Sequence, residues 1–436
     1  MNSNGTKNEG SDVVVVGGGI AGLAAAAYVA RAGRSVTLLE RSSHVGGRAI
    51  TEERSGYHFN LGPHALYRAG PGVKVLRELG VPIRGRVPPS SGLTLRGGAL
   101  QRLPASPWSV LATDLLSIGA KMELARVFAA FTRIDTARLD HVSVAQWIEQ
   151  RVRRDEVRQF LTALVRLGTY TNDPDRLSAA VAVRQLQMAL KGVWYLDRGW
   201  QTLVDGLRAV AEAAGARTIT AANVVAIERG PAPVVRADGG REFPASAVIV
   251  AATPRLAADL LNEPGLTSFA GAAIPVRAAA LDLGLSSLPR PRDRFVLGID
   301  TPLYFSVHSD YADLAPEGGT VLQLAKYLGP EQPDARGVER ELEDLLDLAQ
   351  PGWRELVVER RFLPNLTVSH ALPTAEMGGF AGRPGPEIAG VPNVFLAGDW
   401  AGPEGWLVDA PLASARRAAA RALDVPAARP AAVATA

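Results

Sequence analysis

Three glycines, one acid and one arginine carry the most legible chemistry in this chain. Gly17, Gly19 and Gly22 form a G-x-G-x-x-G turn directly after the β-branched run Asp12–Val16 and ahead of a long alanine-rich segment. Gly17 allows a tight turn, Gly19 lets backbone approach a diphosphate, and Gly22 lets a helix pack closely on a strand. Ile20 and Ala21 then open a helix whose N-terminus offers free N–H groups and a partial positive charge to phosphate. Glu40 follows Gly22 by 18 positions, close to the spacing of about 20 at which a carboxylate accepts a ribose 2′-OH. A carboxylate there also disfavours a 2′-phosphate, and NADP with it. Beyond Glu40 and Arg41 comes Gly46–Gly47–Arg48. A plain NAD site has no need of a glycine-backed arginine at this place, whereas a cofactor whose diphosphate continues into a ribityl chain and a ring could use one.

The elements that must position these groups are local. Asp12–Val16 reads as a buried parallel strand. The helix should end near Gly33, and Ser35–Leu39 restores the strand pattern. Val13–Ala30 is 18 residues without a charge, long enough to raise the question of a membrane span. The three consecutive glycines near its start favour a buried strand and a buried helix instead.

Composition narrows the class. With 436 residues, 47% hydrophobic and 21% charged, the chain is expected to be a soluble globular protein of two domains. A net charge of +3 spread evenly along the sequence does not point to nucleic acid. There is no cysteine, which excludes disulfides, thiolate ligands and a cysteinyl link to a cofactor. The six histidines show no metal-ligand spacing, so no metal site is expected. The polar start MNSNGTKNEG lacks the apolar core of a signal peptide. It reads as a disordered lead-in, residues 424–436 read as a fraying tail, and a cytoplasmic location is the expectation.

Further pieces lie far apart. Gly56–His64 is an alternating strand running into the turn Gly62–Pro63–His64, permissive at Gly62 and stiff at Pro63. Thr218–Glu228 with Val234–Arg236 reads as a hairpin, and Ala247–Pro254 as a buried strand. Asn393–Asp399 reads as a strand ending in Gly398–Asp399. Asp409 is an N-cap candidate, with Pro411 in the first turn of a helix reaching Ala422. Leu66–Trp200 reads as mostly helical, Ser143 preceding one of its helices. Phe269–Asp282 and Gly319–Lys326 read as strands of a second sheet, and Ala371–Gly390 as a loop. Pro107–Phe131 is unusually apolar and is read as a buried helix rather than one lying on a membrane surface.

The succession G-x-G-x-x-G, Glu40 and Gly46–Arg48, completed by Gly398–Asp399, resembles the FAD-binding superfamily of flavin amine oxidases, protoporphyrinogen oxidases and phytoene-type desaturases. The resemblance spans roughly Asp12 to Leu423. It implies an α/β fold: a Rossmann-type FAD-binding domain, with a parallel sheet plus β-hairpin, and a discontinuous α+β substrate domain. The boundaries expected are 1–66, 201–270 and 385–436 for the cofactor, and 67–200 and 271–384 for the substrate. It implies non-covalent FAD held by the glycine turn, Glu40, Arg41, Gly46, Gly47 and Arg48. Gly62, Pro63 and His64 would lie along the flavin, and the Val224 backbone would meet the adenine. Asp399 would accept hydrogen bonds at the ribityl or diphosphate end. The helix opening at Ala410, Pro411 and Leu412 would aim its dipole at the flavin N1/C2=O edge, where negative charge collects on reduction.

Candidates for the chemistry itself are fewer. His64 could sit over the ring as a proton acceptor or be a structural histidine. Tyr195 and Trp200 are candidates for the pocket wall. Trp400 and Trp406 are candidates for an aromatic cage, although their spacing does not match one clearly. Where many amine oxidases keep a lysine near flavin N5, the corresponding strand has Arg277, and Lys326 lies on another strand. The expected protein is an FAD-dependent oxidoreductase taking a hydride from a C–C or C–N bond of a small, largely apolar molecule, with O₂ or a separate acceptor receiving the electrons. The alternatives are a flavin amine oxidase in the strict sense, a redox-neutral flavin isomerase, and a non-catalytic lipid-binding escort on the same fold.

Overall fold

The computed structural model describes residues 10–105, 107–331 and 334–427. Most of the polar lead-in, residues 1–9, and the end of the tail, residues 428–436, lie outside the described residues. The chain opens with β1 (Ser11–Val16), α1 (Ile20–Arg31) and β2 (Val36–Leu39), followed by the hairpin β3 (Thr51–Arg54) and β4 (Tyr57–Asn60). After β5 (Leu66–Tyr67) come α2 (Pro71–Glu78), β6 (Gly85–Arg86), β7 (Leu93–Arg96) and β8 (Ala99–Arg102). Five helices follow: α3 (Pro107–Ala112), α4 (Ile118–Phe131), α5 (Val144–Arg151), α6 (Asp155–Thr169) and α7 (Ala179–Ala189). Next are β9 (Val193–Leu196), α8 (Gln201–Ala213), β10 (Arg217–Ile219), β11 (Val224–Glu228), β12 (Val234–Ala237) and β13 (Arg241–Val250). Helices α9 (Pro254–Leu261) and α10 (Pro264–Ala272) lead to β14 (Val276–Leu285), β15 (Phe295–Gly298), β16 (Leu303–Val307) and β17 (Thr320–Tyr327). The chain closes with α11 (Ala335–Ala349), β18 (Val357–Ser369), β19 (Glu387–Ile388), β20 (Val391–Leu396) and α12 (Asp409–Asp424).

Two sheets organise these elements. In the first, β10, β2, β1, β13 and β20 lie side by side in parallel. The N-terminal half of β13 also pairs antiparallel with β12, and β12 with β11. Helices α1, α2, α8 and α12 bury their apolar faces on one side, and α9 with the β11–β12 hairpin covers the other. The second sheet runs β18-β14-β17-β16-β15-β7-β8, with α11 packed on its outer face. Helices α4 to α7 form a separate apolar core around Trp147, Phe160 and Trp406. Among the described residues no helix is long and apolar enough to cross a membrane.

Four local expectations change. Residues 107–131, read as one buried helix, are α3 and α4, and α4 buries Ala120, Leu124 and Phe131 but leaves Ile118, Met122 and Phe128 exposed. Within the stretch read as mostly helical, residues 85–86, 93–96 and 99–102 are strands, and Gly97–Gly98 turns the β7–β8 hairpin with φ of 55° and 74°, the positive angles a tight hairpin needs. Strand β7 pairs with β15 some 200 residues later, a partner no local pattern announces. The Thr218–Glu228 strand is two strands, β10 on β2 and β11 in the hairpin, with Ala221 at φ 50° between them. The strand placed at Phe269–Asp282 begins at Val276, because α10 occupies the residues before it. Ser143, read only as preceding a helix, caps α5: its Oγ accepts the Gln146 N–H, and Gln146 Oε1 accepts the Ser143 N–H in return.

Candidate functional site

The glycine turn divides its tasks by space. A Cβ on Gly22 would come within 1.8 Å of the Gly17 carbonyl oxygen, and one on Gly17, at φ 106°, within 2.4 Å of the Ala251 oxygen. These two glycines are required by protein packing alone. Gly19 differs, since a Cβ there would meet no heavy atom within 4 Å. It faces open space at the N-terminus of α1, where no side chain caps the helix and no acid stands in its first turn. Ile20 and Ala21 are buried in that turn. This is a cradle with unspent N–H donors, as a diphosphate requires.

Glu40 directly follows β2 beside the cradle. Its Oε2 accepts the Gly18 N–H at 2.6 Å and its Oε1 the Ser42 N–H at 2.8 Å. The carboxylate is half-buried and retains acceptor capacity for hydroxyls. Its backbone ties to Ile219 and Ala222, which brings buried Val224 at the start of β11 to the same end of the sheet; Arg41 is exposed there. Gly46 bonds back to the Gly18 carbonyl, and a Cβ on Gly47 would lie 3.4 Å from Gly19 Cα, so this second glycine pair lies directly on the turn.

Arg48 reaches away from the turn. Its Nη1 donates to the Val368 carbonyl at 2.6 Å and its Nη2 to Asp399 Oδ2 at 2.8 Å. Asp399 also accepts the His370 backbone N–H at 3.0 Å, and its Oδ1 lies 2.9 Å from His370 Nδ1. Burial by itself would raise the Asp399 carboxyl; the Arg48 guanidinium and His370 outweigh it and hold the group well below the usual carboxylate range. Nothing in the sequence singled out His370; the one available signal was a histidine directly after a strand that returns toward Gly398–Asp399.

The flavin-edge helix departs from expectation. The residue capping α12 is Val408, and Asp409 is the first helical residue. The Asp409 carboxylate turns instead to α2, where Oδ1 accepts the Gly72 N–H at 2.8 Å. Gly70 and Gly72 make room for it, because a Cβ on either would lie 2.2 or 2.7 Å from Oδ1. Of the first-turn residues, Pro411 has no N–H and Leu412 N–H already bonds the Val408 carbonyl, which leaves Ala410 N–H as the donor that this end can offer. Leu407, just before, is held at φ 52°, an unfavourable angle for a bulky residue.

Asp409 is fully buried, and desolvation pushes its carboxyl up to about 7. An acid raised by folding binds a proton that the unfolded chain has already released, so folding stability should fall as pH rises from about 4 to about 7 and then level off. In Asp409→Asn, which keeps an acceptor for Gly72, this loss of a few kcal/mol should disappear. Urea denaturation of the apo-protein at several pH values compares the two slopes.

The Gly62–Pro63–His64 turn faces the second sheet. Gly62 (φ 77°) has its Cα over Ala280 and Leu366. Its carbonyl accepts Gln323 Nε2 and His64 Nδ1, each at 2.9 Å. The carbonyl can only accept, so Nδ1 carries the hydrogen; desolvation pushes the ring down to about 4 and keeps it uncharged. Around it gather phenols. Tyr170 Oη donates to the Pro63 carbonyl at 2.9 Å and its ring meets Tyr327 edge-on. Tyr195 stacks on His308 at 3.9 Å, while Tyr304 Oη lies 3.2 Å from His308 Nε2 and 3.3 Å from Tyr195 Oη. Burial raises all four phenols and pushes His308 down to about 3. The group is therefore neutral throughout at pH 7. Beneath it, Asp282 is fully buried on Arg361, with Oδ2 2.7 Å from Nη2.

The remaining candidates separate. Trp200 packs edge-on to His64 at 4.8 Å, so Tyr195 and Trp200 both border the turn. Trp400 and Trp406 are fully buried in two different cores. Their indole N–H groups are spent on the Ala252 and Thr169 carbonyls, and they form no facing pair. Side chains of β14 alternate: Ala279, Leu281 and Leu283 pack with α11, while Ala280 and Asp282 face Gly62 and Gln323. Arg277 shares the parity of Ala279 and so belongs to the α11 face, away from the turn. Lys326 lies on that outer face too, bonded to Glu341 of α11 at 2.6 Å.

Relatives place this geometry. An uncharacterized protein of Mycobacterium tuberculosis is 30% identical over 332 residues, covering 65% of this chain. The chain thus spans only 60% of that relative's length. A carotenoid 3,4-desaturase of Haloarcula japonica is 56% identical over 54 residues, 12% of this chain and 11% of the desaturase. The solved cyclohexylamine oxidase of Brevibacterium oxydans shares the fold, with a TM-score of 0.73 at 18% identity over 95% of this chain and 99% of that one. Residues 20–423 match the family described as flavin-containing amine oxidoreductase. The chain belongs to that family, and its cofactor is FAD.

Proposed function

We propose that the chain is an FAD-dependent oxidoreductase that takes a hydride from a C–C or C–N bond of a small, uncharged, largely apolar molecule bound among Tyr170, Tyr195, Tyr304, Tyr327 and His64. The observation that carries this reading is the neutrality of that cluster. Three buried phenols, half-buried Tyr170 and two imidazoles gather at the Gly62–His64 turn, and the nearest cations are bonded to the protein, Arg166 to the Gly298 and Ile299 carbonyls and Arg48 to Asp399. The ion pair beneath, Arg361–Asp282, is tied further into the protein by Glu52, the Asn60 carbonyl and Gln323.

Bound FAD supplies the hydride acceptor. The chain's own work is to bind, orient and exclude water. Gly19 with the N–H groups of α1 holds the diphosphate, Glu40 the adenosine ribose, and Ala410 N–H with the α12 dipole the pyrimidine edge. Ala278, Ala280 and Ala325 keep the inner face of the second sheet low, so that Gly62 packs directly on Ala280. Tyrosine hydroxyls give the substrate hydrogen-bonding points without charge. His64 offers an uncharged acceptor at Nε2; held near 4, it passes on to water, rather than keeps at pH 7, the proton that leaves the substrate along with the hydride. Electrons leave to O₂ or a separate acceptor.

Purified protein should be yellow, and a neutral substrate should bleach it anaerobically. Stopped-flow absorbance against terpenoids, porphyrinogens and amines reads this directly. A colourless protein indifferent to added FAD would sink the reading. Turnover only with pre-reduced flavin, and without consumption of an acceptor, would replace it with a redox-neutral isomerase.

A further inference from the structure

Helix α4 carries two apolar stripes. Ala120, Leu124, Val127 and Phe131 recur at helical spacing and pack into the core shared with α5, α6 and α7. Ile118, Met122, Ala125 and Ala129 repeat that spacing on the opposite side of the helix, and all four are exposed. Ile118 is 78% exposed and Met122 56%. A surface helix of a globular protein ordinarily turns charge to the outside. Here charge is confined to the margins, with Lys121 along one edge of the outer stripe and Arg126 along the other. Glu123, the one acid of α4, turns away from the stripe. Its two oxygens accept the N–H groups of Arg153 and Arg154, at 2.9 and 3.1 Å.

The end of α7 adjoins the end of α4, because Gln187 Nε2 donates to the Phe131 carbonyl at 2.9 Å. There α7 adds Leu190, 65% exposed, followed by exposed Lys191, while Arg133 is exposed just beyond α4. A second copy of the chain is a poor occupant for this face. Paired about a two-fold axis, the stripe would oppose itself and set the basic margins of the two copies against each other. An anionic bilayer answers both features, taking aliphatic side chains among its acyl chains and the flanking cations at its headgroups.

We propose that α4, with Leu190 and Lys191 at the end of α7, docks this protein on an anionic lipid surface. At 14 residues, α4 is about 21 Å long and lies along the surface with its inner stripe still packed on the protein. The docking face stands apart from the cofactor site and does not depend on which substrate the pocket takes.

The chain has no cysteine, so a fluorophore can be placed at a single chosen position. Attached through Met122→Cys, an environment-sensitive dye should brighten several-fold and shift to the blue with vesicles of equal parts phosphatidylcholine and phosphatidylglycerol. Attached through Leu348→Cys, on exposed α11 surface, it should not respond. Ile118→Ser with Met122→Ser should weaken vesicle partition of the FAD-loaded protein about tenfold. Its melting temperature and flavin spectrum should not change, because both positions are exposed. Arg126→Glu with Arg133→Glu should remove the preference for phosphatidylglycerol over phosphatidylcholine alone. Wild-type protein that ignores the anionic vesicles would overturn the proposal, as would equal partition of wild type and the serine pair. A wild-type dimer that ignores vesicles, and that the serine pair dissociates in sedimentation, would overturn it in favour of a second copy.

Discussion

Gly22→Ala should leave a protein that neither folds stably nor takes up FAD, whereas Gly19→Ala should fold normally and lose only the cofactor. The two glycines are three residues apart in one turn, and their surroundings are opposite. At Gly22 the added methyl would lie 1.8 Å from the Gly17 carbonyl oxygen. The obstacle is backbone, so no side-chain rotation relieves it, and α1 must move away from β1. Overpacking of this kind costs about 1–3 kcal/mol and more where backbone has to shift. The diphosphate cradle is then lost along with the packing. At Gly19 the methyl enters open space, and φ of −71° suits alanine. The apo-protein should stay within about 0.5 kcal/mol of wild type, while FAD affinity should drop at least tenfold as the methyl occupies the place of a phosphate. Thermal melting of both apo-proteins beside FAD titration separates the cases. A Gly19→Ala protein that binds FAD normally would mean the cradle is not where the diphosphate lies.

Arg361→Met should be the most damaging change outside the glycine turn. Arg361 is buried between the second sheet and the β3–β4 hairpin, where it bonds Asp282, Glu52 and the Asn60 carbonyl and lies over the Phe59 ring. Asp282 is fully buried, and desolvation already pushes it up to about 6 against the pull of this guanidinium. Removing one partner of a buried pair leaves an uncompensated charge and typically costs 3–5 kcal/mol. The loss should be largest at pH 8 and should shrink toward pH 5, where Asp282 can take a proton. Arg361→Met with Asp282→Asn should recover much of it. Because Gln323 bonds both Asp282 and the Gly62 carbonyl, the single variant should also loosen the turn that carries His64. Urea denaturation across pH tests the first point; equal losses at pH 5 and pH 8 would show that the cost is packing rather than charge.

Legibility in the sequence follows the range of the interaction. Gly17, Gly19, Gly22, Glu40 and Gly46–Gly47 were readable because they serve backbone demands within one strand–turn–helix–strand unit. Gly398–Asp399 was readable as a strand-end signature, but the Arg48 and His370 contacts that orient the Asp399 carboxylate were not. Asp409 was read as the cap of its own helix and caps α2 instead, since the sequence cannot show that Gly70 and Gly72 lie against it. Arg277 and the pair Trp400 and Trp406 were singled out by residue type and position along the chain. Strand parity and burial then direct them elsewhere.

From the sequence by itself came the α/β class and the dinucleotide turn, because each depends on residue spacing that local geometry enforces, while FAD in place of NAD came from the resemblance to flavin-binding oxidoreductases. The tertiary structure alone decided which side chains meet. His370 and Asp399 are 29 residues apart, Arg48 and Asp399 351, and Asp282 and Arg361 79. Tyr195 and His308 come from different elements joined by no pattern. A tyrosine, a histidine or an aspartate has no chemistry of its own until burial and a partner set its charge and direction, and both are properties of the folded chain.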